Sequence, residues 1–152
     1  MIKYVPEDTS VCFSEIRSEI SLGINLSCCP HRCPGCHSAY LQTSIGEELT
    51  TTIIEDLISK NSGITCVVFL GGDNDKETLK LFGEFVKSKN LKSAWYSGES
   101  TIDLDEYGDY FDYIKVGPYI ESLGPLNSKT TNQRLYYIAD NIYEDLTYTF
   151  WK

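Results

Sequence analysis

The sequence predicts a single α/β domain built on a mainly parallel sheet that is open or forms a partial barrel. Two observations support this prediction. Segments with strand-like apolar patterns alternate with helical patterns from residue 20 to residue 116, which is typical of right-handed βαβ units. The chain supplies four such strands, too few to close an eight-stranded barrel, and its 152 residues fit one domain.

We expect three regions within this domain. They are an N-terminal extension over residues 1–18, a βα core over residues 19–120 and a C-terminal tail over residues 121–152. In the extension, residues 2–5 and 10–14 predict two short extended pieces joined as a hairpin around Pro6. In the tail, aromatic and β-branched residues at 133–138 and 146–151 predict a hairpin or edge-strand pair, which adds a short C-terminal β extension.

The core is predicted to alternate strands with helices. The strands cover residues 20–26, 64–70, 93–96 and 111–116, and the helices cover residues 47–60, about 75–89 and a short segment capped by Thr101. The first helix has apolar residues at helical spacing from Ile53 to Ile58, behind a threonine run that offers N-caps. The strand over 64–70 is almost continuously apolar, as expected for a strand that is covered on both faces.

The most informative stretch is the loop over residues 27–38, which follows the first strand. It places the thiols of Cys29, Cys33 and Cys36 at positions i, i+4 and i+7. Three soft ligands so close together predict a metal or cluster site. A structural zinc ion usually takes four protein ligands from two separated pairs, and the sequence has no second pair downstream. Three thiolates can instead hold three irons of a [4Fe-4S] cluster and leave the fourth iron open.

A zinc site is the main alternative for this loop. Cys28, His31 or His37 would then supply the fourth ligand. We favour the cluster, with both histidines shaping the loop and Cys28 as a bystander, since its spacing to Cys33 is one residue longer than the motif. Cys12 and Cys66 are predicted to be small buried hydrophobes.

Glycine-containing motifs follow the later strands at the edge where parallel sheets collect ligands. They are Gly71-Gly72-Asp73, Ser97-Gly98-Glu99 and Gly117-Pro118. We expect the two glycines of the first motif to let backbone amides approach a charged ligand, and its aspartate to bind an ammonium group. The serine and glutamate of the second motif are placed to hydrogen-bond a ribose or a carboxylate. A plain strand-to-helix turn is the alternative for each motif taken alone.

The acidic composition argues against binding to nucleic acid. The net charge is −9 and the pI is near 4.6, whereas a nucleic-acid-binding domain needs a basic face. No apolar run reaches the roughly 20 residues that span a bilayer, and the first residues lack the apolar core of a signal peptide. We therefore expect a cytoplasmic protein without membrane contact, in which the cysteines stay reduced.

These motifs together resemble a known family. The Cys-x3-Cys-x2-Cys spacing resembles the signature of radical S-adenosylmethionine (SAM) enzymes, and Gly71-Gly72-Asp73 is similar to their Gly-Gly-Glu motif. Further segments resemble anaerobic ribonucleoside-triphosphate reductase activating proteins over residues 10–138: Tyr96-Ser97-Gly98, residues 116–120, 128–129 and 132–134. Two departures are Gly35, where the superfamily usually has an aromatic residue, and Asp73 in place of the glutamate.

The resemblance implies a glycyl-radical activase with a partial radical-SAM type β/α barrel. It implies that Cys29, Cys33 and Cys36 bind the [4Fe-4S] cluster, and that Gly71, Gly72, Asp73, Ser97 and Gly98 contact SAM. One electron from the cluster, delivered by a donor such as flavodoxin or ferredoxin, would cleave SAM to methionine and a 5′-deoxyadenosyl radical. That radical would take a hydrogen atom from a glycine of the anaerobic reductase. No side chain is assigned as catalytic, because the cofactors carry the chemistry.

Two alternatives to this activity remain open. One is a small radical-SAM enzyme that acts on another glycyl-radical enzyme or on a small molecule. The other is a non-catalytic zinc- or cluster-binding module that recruits partners. The tyrosine-rich tail has two interpretations as well, since Tyr136, Tyr137 and Trp151 would either pack against the domain or form a docking face for the partner.

Overall fold

The computed structural model describes residues 1–36 and 38–151 and shows a mixed α/β protein with a seven-stranded sheet. The strands are β1 Lys3–Tyr4, β2 Ser10–Cys12, β3 Ser21–Asn25, β4 Glu47–Glu48, β5 Cys66–Leu70, β6 Lys92–Tyr96, β7 Tyr113–Val116, β8 Arg134–Ala139 and β9 Ile142–Asp145. The helices are α1 Thr51–Lys60, α2 Lys76–Ser88 and α3 Leu104–Tyr107. Short 3-10 turns lie at Pro6–Asp8, Ala39–Gln42 and Thr147–Phe150.

The large sheet has the order β2-β3-β5-β6-β7-β8-β9. Its four central strands, from β3 to β7, pair in parallel, and the strands at both ends pair antiparallel. Asn25, Leu70, Tyr96 and Lys115 stand side by side in this register. The loops that follow the four central strands therefore leave the sheet at one common rim.

The two faces of the sheet are covered by different parts of the chain. Alternate strand residues such as Val67 and Phe69 pack under the helices, with Leu79, Phe82 and Val86 of α2 buried among them. The residues between them, such as Val68, face a second cluster that is covered by Ile16 and Phe150. The helices thus protect one face, and the segment before β3 together with the C-terminal turn protects the other.

Helix caps and one indole fix the connections around the central strands. The Thr50 side chain accepts a hydrogen bond from the Ile53 amide at the start of α1, so the predicted N-cap is confirmed. Asp75 caps α2 in the same way through the Thr78 amide. The buried Trp95 donates from Nε1 to the Gly71 carbonyl at 2.8 Å, which ties β6 to the turn after β5.

The predicted N-terminal hairpin is wrong. β1 pairs antiparallel with β4, and β2 pairs with β3, so the two pieces belong to different sheets. Pro6 begins a 3-10 turn between them, because its fixed φ suits the first position of such a turn.

Two further details differ from the predictions. The cap of α3 is Asp103, which accepts from two amides in the first turn, and not Thr101. The tail does contain a hairpin, but its second strand is Ile142–Asp145, and residues 147–150 form a 3-10 turn. Asp140 and Asn141 explain this, since both adopt positive φ, at 51° and 61°, and close a tight two-residue turn. No described helix combines the length and apolar character needed to cross a bilayer.

Candidate metal centre

The cysteine loop leaves β3 and is clamped at its base. The amides of Cys28 and Cys29 donate to the carbonyls of Thr43 and Leu41, at 3.0 and 2.9 Å. These bonds join the entry of the loop to its exit, so the residues from Cys29 to Cys36 project as one unit at the rim of the sheet. Gly35 turns the chain within this unit with a positive φ of 74°, a conformation that an aromatic residue at this position would strain.

The three predicted ligands lie at the same end of the sheet. Cys29 and Cys36 line one cavity of about 390 Å³, and Cys33 lies within electrostatic range of Cys29 and of Lys115. Burial raises the pKa of the Cys29 thiol, and the negative charges of nearby acidic groups add to this effect. A bound cation must therefore draw the proton from this thiol, as thiolate coordination of iron does.

The donor set fits a cluster better than a single ion. Among the described residues, the compact group of three potential ligand atoms, all within 4.8 Å of one another, is formed by His31, Asp73 and Glu99 and includes no thiol. The three thiol sulfurs are therefore not all within 4.8 Å of one another, an arrangement that suits separate irons of one cluster better than a single ion. Cys28 hydrogen-bonds Ser27 and is not among the residues that line the cavity. His37, the other candidate for a fourth zinc ligand, lies outside the described residues.

The remaining cysteines lie away from this site. Cys66 is completely buried in β5, as predicted, and its pKa is raised by burial. Cys12 is only partly buried on the edge strand, where burial and a hydrogen bond to Glu15 raise its pKa to about 12. Neither thiol is among the residues that line the cavity, so both lie outside the predicted ligand set.

The glycine pair after β5 lets the chain pass close to its neighbours, and the predicted contact of the pair with SAM stays a prediction. Gly71 and Gly72 have positive φ values of 120° and 96°, and an added Cβ would come within 3.1 Å of the Leu26 carbonyl and of the Leu79 methyl groups, respectively. The Gly71 amide donates to the Tyr96 carbonyl and is not available to a ligand, contrary to the expectation. The glycines allow close packing of the turn against Leu26, which follows β3, and against α2.

Asp73 is the centre of the polar network at the rim. Its carboxylate accepts from the Ser97 hydroxyl at 2.6 Å, the Gly98 amide at 2.8 Å and His31 Nε2 at 2.9 Å. A carboxylate offers about four acceptor positions, so roughly one remains for a ligand. Because Asp73 also lines the cavity, it stays a candidate for binding an ammonium group.

The polar side chains of the Ser97-Gly98-Glu99 motif are engaged mainly by other groups of the protein. The fully buried Ser97 hydroxyl donates to Asp73 and accepts from the Glu99 amide at 3.0 Å. Glu99 forms an ion pair with Lys76 at 3.0 Å. The structure therefore brings Ser97 and Gly98 to the cavity wall, but the serine side chain has little capacity left for the predicted contact with a ribose.

Lys115 is a site residue that the sequence reasoning missed. It is the last residue but one of β7, lines the cavity and is only 8% exposed, and its Nζ donates to the Gly117 carbonyl at 2.9 Å. Burial lowers the pKa of Lys115 to about 8, against the pull of Asp73 and the three thiols. The available signal was a lone lysine inside the apolar strand over 111–116.

Comparison with known proteins agrees with this chemistry. A family model described as a 4Fe-4S single cluster domain matches residues 20–136, which span the cysteine loop and all four parallel strands. This family is found in radical-SAM-type iron–sulfur proteins. No curated protein and no solved structure matches the chain. On the extent of that match, and with three thiols gathered at the rim of its sheet, the chain belongs to the 4Fe-4S single cluster domain family.

Proposed function

We propose that this protein uses its [4Fe-4S] cluster to cleave SAM reductively and to generate a glycyl radical on anaerobic ribonucleoside-triphosphate reductase. One observation supports this above all others: Cys29, Cys36, Asp73 and Lys115 line a single cavity at the rim of the parallel strands. The cavity thus combines thiol ligands with one buried carboxylate and one buried ammonium group.

The two buried charges match the amino-acid end of SAM. Asp73 has roughly one acceptor position left. Lys115 uses one of its three N–H donors in the bond to Gly117, which leaves two for a ligand. An α-ammonium and an α-carboxylate are the groups that this pair would bind. When bound and reduced, a cluster of this kind supplies the one-electron chemistry that starts radical reactions from SAM.

The covering of the sheet favours a large substrate over a small one. Ile16 and Phe150 fill the face opposite the helices, and the cavity of about 390 Å³ is left at the rim. SAM would take up much of this volume, so the hydrogen donor would have to enter from outside. A flexible glycine loop of a partner protein meets this requirement, and we interpret the sheet as a partial barrel that is open to such a loop.

The proposal includes a cellular setting. The electron would come from flavodoxin or ferredoxin, and the reaction would take place in the cytoplasm, where thiols remain reduced.

Reductive cleavage of SAM tests the first half of the proposal. The protein is reconstituted anaerobically with iron and sulfide, then given dithionite and SAM, and 5′-deoxyadenosine is measured. We expect product from the unaltered protein and essentially none from Cys29→Ala, Cys33→Ala or Cys36→Ala, because each variant removes one iron ligand. Cys12→Ala serves as the matched control and should keep full product formation. Tightly held zinc without a cluster, or product from all three variants, would contradict the assignment.

A further inference from the structure

The cysteine loop is tied to the sheet by one side chain that is not a ligand in the predicted motif. His31 lies between Cys29 and Cys33, and its Nε2 contacts the Asp73 carboxylate at 2.9 Å. Asp73 stands after β5 and is itself held by Ser97 and Gly98 after β6. A continuous chain of hydrogen bonds therefore runs from the middle of the loop to the ends of two neighbouring strands.

The packing at Gly98 is a second and independent indication that the protein accommodates the His31 ring in this position. A Cβ added at Gly98 would lie 2.7 Å from Cδ2 and 3.1 Å from Nε2 of the imidazole. Gly98 does not adopt a positive φ, so an alanine would suit its backbone and only the ring opposes it. The absence of a side chain at this position thus makes room for the histidine.

The contact is protected from water on the aspartate side. The Asp73 side chain is 2% exposed and that of His31 is 22% exposed. A hydrogen bond to a buried carboxylate is charge-assisted and stronger than one at the surface, and the three donors together hold the acceptor in one orientation. The loop is therefore anchored to a rigid point.

The close approach of His31, Asp73 and Glu99 can be explained without a metal ion. His31, Asp73 and Glu99 place one ligand atom each within 4.8 Å of one another. However, the ammonium of Lys76 already contacts Glu99 at 3.0 Å and the Asp73 carbonyl at 3.2 Å. The Lys76 ammonium thus balances the Glu99 carboxylate, and the Asp73 carboxylate is held by hydrogen bonds from Ser97, Gly98 and His31.

We infer that His31 is a positioning residue, which with Asp73 and Gly98 latches the cysteine loop onto the sheet in the arrangement that retains the cluster. The inference needs only the cluster and not SAM, so it goes beyond the proposed function. Loss of the latch would keep all three cysteines in the chain but let their thiols move apart, and iron would escape more readily.

Cluster retention tests the latch directly. The reconstituted protein is exposed anaerobically to an iron chelator, and the decay of the cluster absorbance is followed. We expect decay to be roughly tenfold faster in His31→Ala, which loses a charge-assisted hydrogen bond. His31→Gln should restore much of the retention, because its amide nitrogen can still donate to Asp73. Tyr40→Phe, which removes an exposed hydrogen bond to Asp8, is the control and should match the unaltered protein.

Gly98→Ala provides the steric version of the same experiment. It keeps every hydrogen-bonding group but occupies the place of the imidazole, so cluster decay should again be roughly tenfold faster. In the cluster-free protein, amide hydrogen exchange over residues 29–36 should also speed up in this variant and in His31→Ala, while exchange in β5 and β6 stays unchanged. In both variants, the reduced cluster should show an EPR line shape that differs from that of the unaltered protein.

Three results would overturn the inference. The first is cluster decay in His31→Ala or Gly98→Ala that is as slow as in the unaltered protein. The second is decay in His31→Gln that is as fast as in His31→Ala, since the hydrogen bond would then play no part. The third is stoichiometric binding of Mn²⁺ by the unaltered protein that Glu99→Gln abolishes, because the group would then be an ion site.

Discussion

Lys115 places one positive charge at the end of β7, buried beside Asp73 and the cysteine loop. In the cluster-free protein this charge is unfavourable, and its pKa is lowered to about 8 by burial. A cluster held by three thiolates brings negative charge to the same place, which would stabilise the ammonium group. We therefore expect the pKa of Lys115 to be higher in the cluster-bound protein than in the cluster-free protein.

The stability of a Lys115→Met variant should show the free-energy cost of burying the Lys115 charge in the cluster-free protein. In the unfolded chain lysine titrates near 10.4, so below pH 8 the folded protein must keep a buried charge that methionine lacks. The folded form releases its proton first as the pH rises, so the unaltered protein gains stability relative to the variant between about pH 8 and 10. We expect cluster-free Lys115→Met to be more stable by a few kcal/mol at pH 7, with a smaller difference at pH 10. Urea unfolding at both pH values measures the two differences, and a gap that does not narrow would contradict the shifted pKa.

Single residues of the site were only partly predictable. The spacing of Cys29, Cys33 and Cys36 is a local pattern and can be read from the sequence. The contact of His31 with Asp73 joins residues that are 42 positions apart, so it appears only once the strands are placed. The same limit applies to Lys115, whose meaning depends on the cavity that it faces.

At the scale of elements, local patterns located the core well. The apolar run at 64–70 became β5 Cys66–Leu70, and the helix predicted over about 75–89 is α2 Lys76–Ser88. These elements carry their burial pattern within a few consecutive residues. β1 and β4 have only two residues each and lie far apart in the chain, so their pairing could not be predicted from a local sequence pattern.

The tail packs mainly against the domain. The rings of Tyr137 and Tyr113 lie 4.9 Å apart, and Tyr136 packs against the helix-covered core. Trp151 packs against the second cluster with Leu146 and Phe150. The docking face predicted at Tyr136, Tyr137 and Trp151 stays a prediction. The exposed apolar side chains of the tail are three others, Ile142, Tyr143 and Tyr148.

Tyrosine substitutions separate packing from exposure in this tail. We expect Tyr137→Ala to lower the free energy of unfolding by about 2 kcal/mol, because it removes ring contacts with Tyr113 and the core. Tyr148→Ala is the matched control, since Tyr148 is 58% exposed, and should change stability by less than about 0.5 kcal/mol. Urea unfolding compares the two variants, and equal effects would argue against the packing role of Tyr137.

At the scale of the whole molecule, the parallel sheet brings the site together. Because β3, β5, β6 and β7 run in register, the loop of the cysteines, Asp73, Gly98 and Lys115 all meet at one rim. This convergence was predictable from the alternation of strands and helices. The covering of the opposite face by Ile16 and Phe150 was not, since both lie in segments without a strong periodic pattern.

The central claim is that radical chemistry started at this rim ends on a partner protein. The most direct measurement mixes the reconstituted protein with SAM, a reductant and the anaerobic ribonucleoside-triphosphate reductase of the same organism, and records the EPR spectrum. We predict a glycine-centred radical on the reductase that requires SAM and is absent with Cys33→Ala. Formation of 5′-deoxyadenosine without any radical on the reductase would contradict the claim and indicate a different substrate.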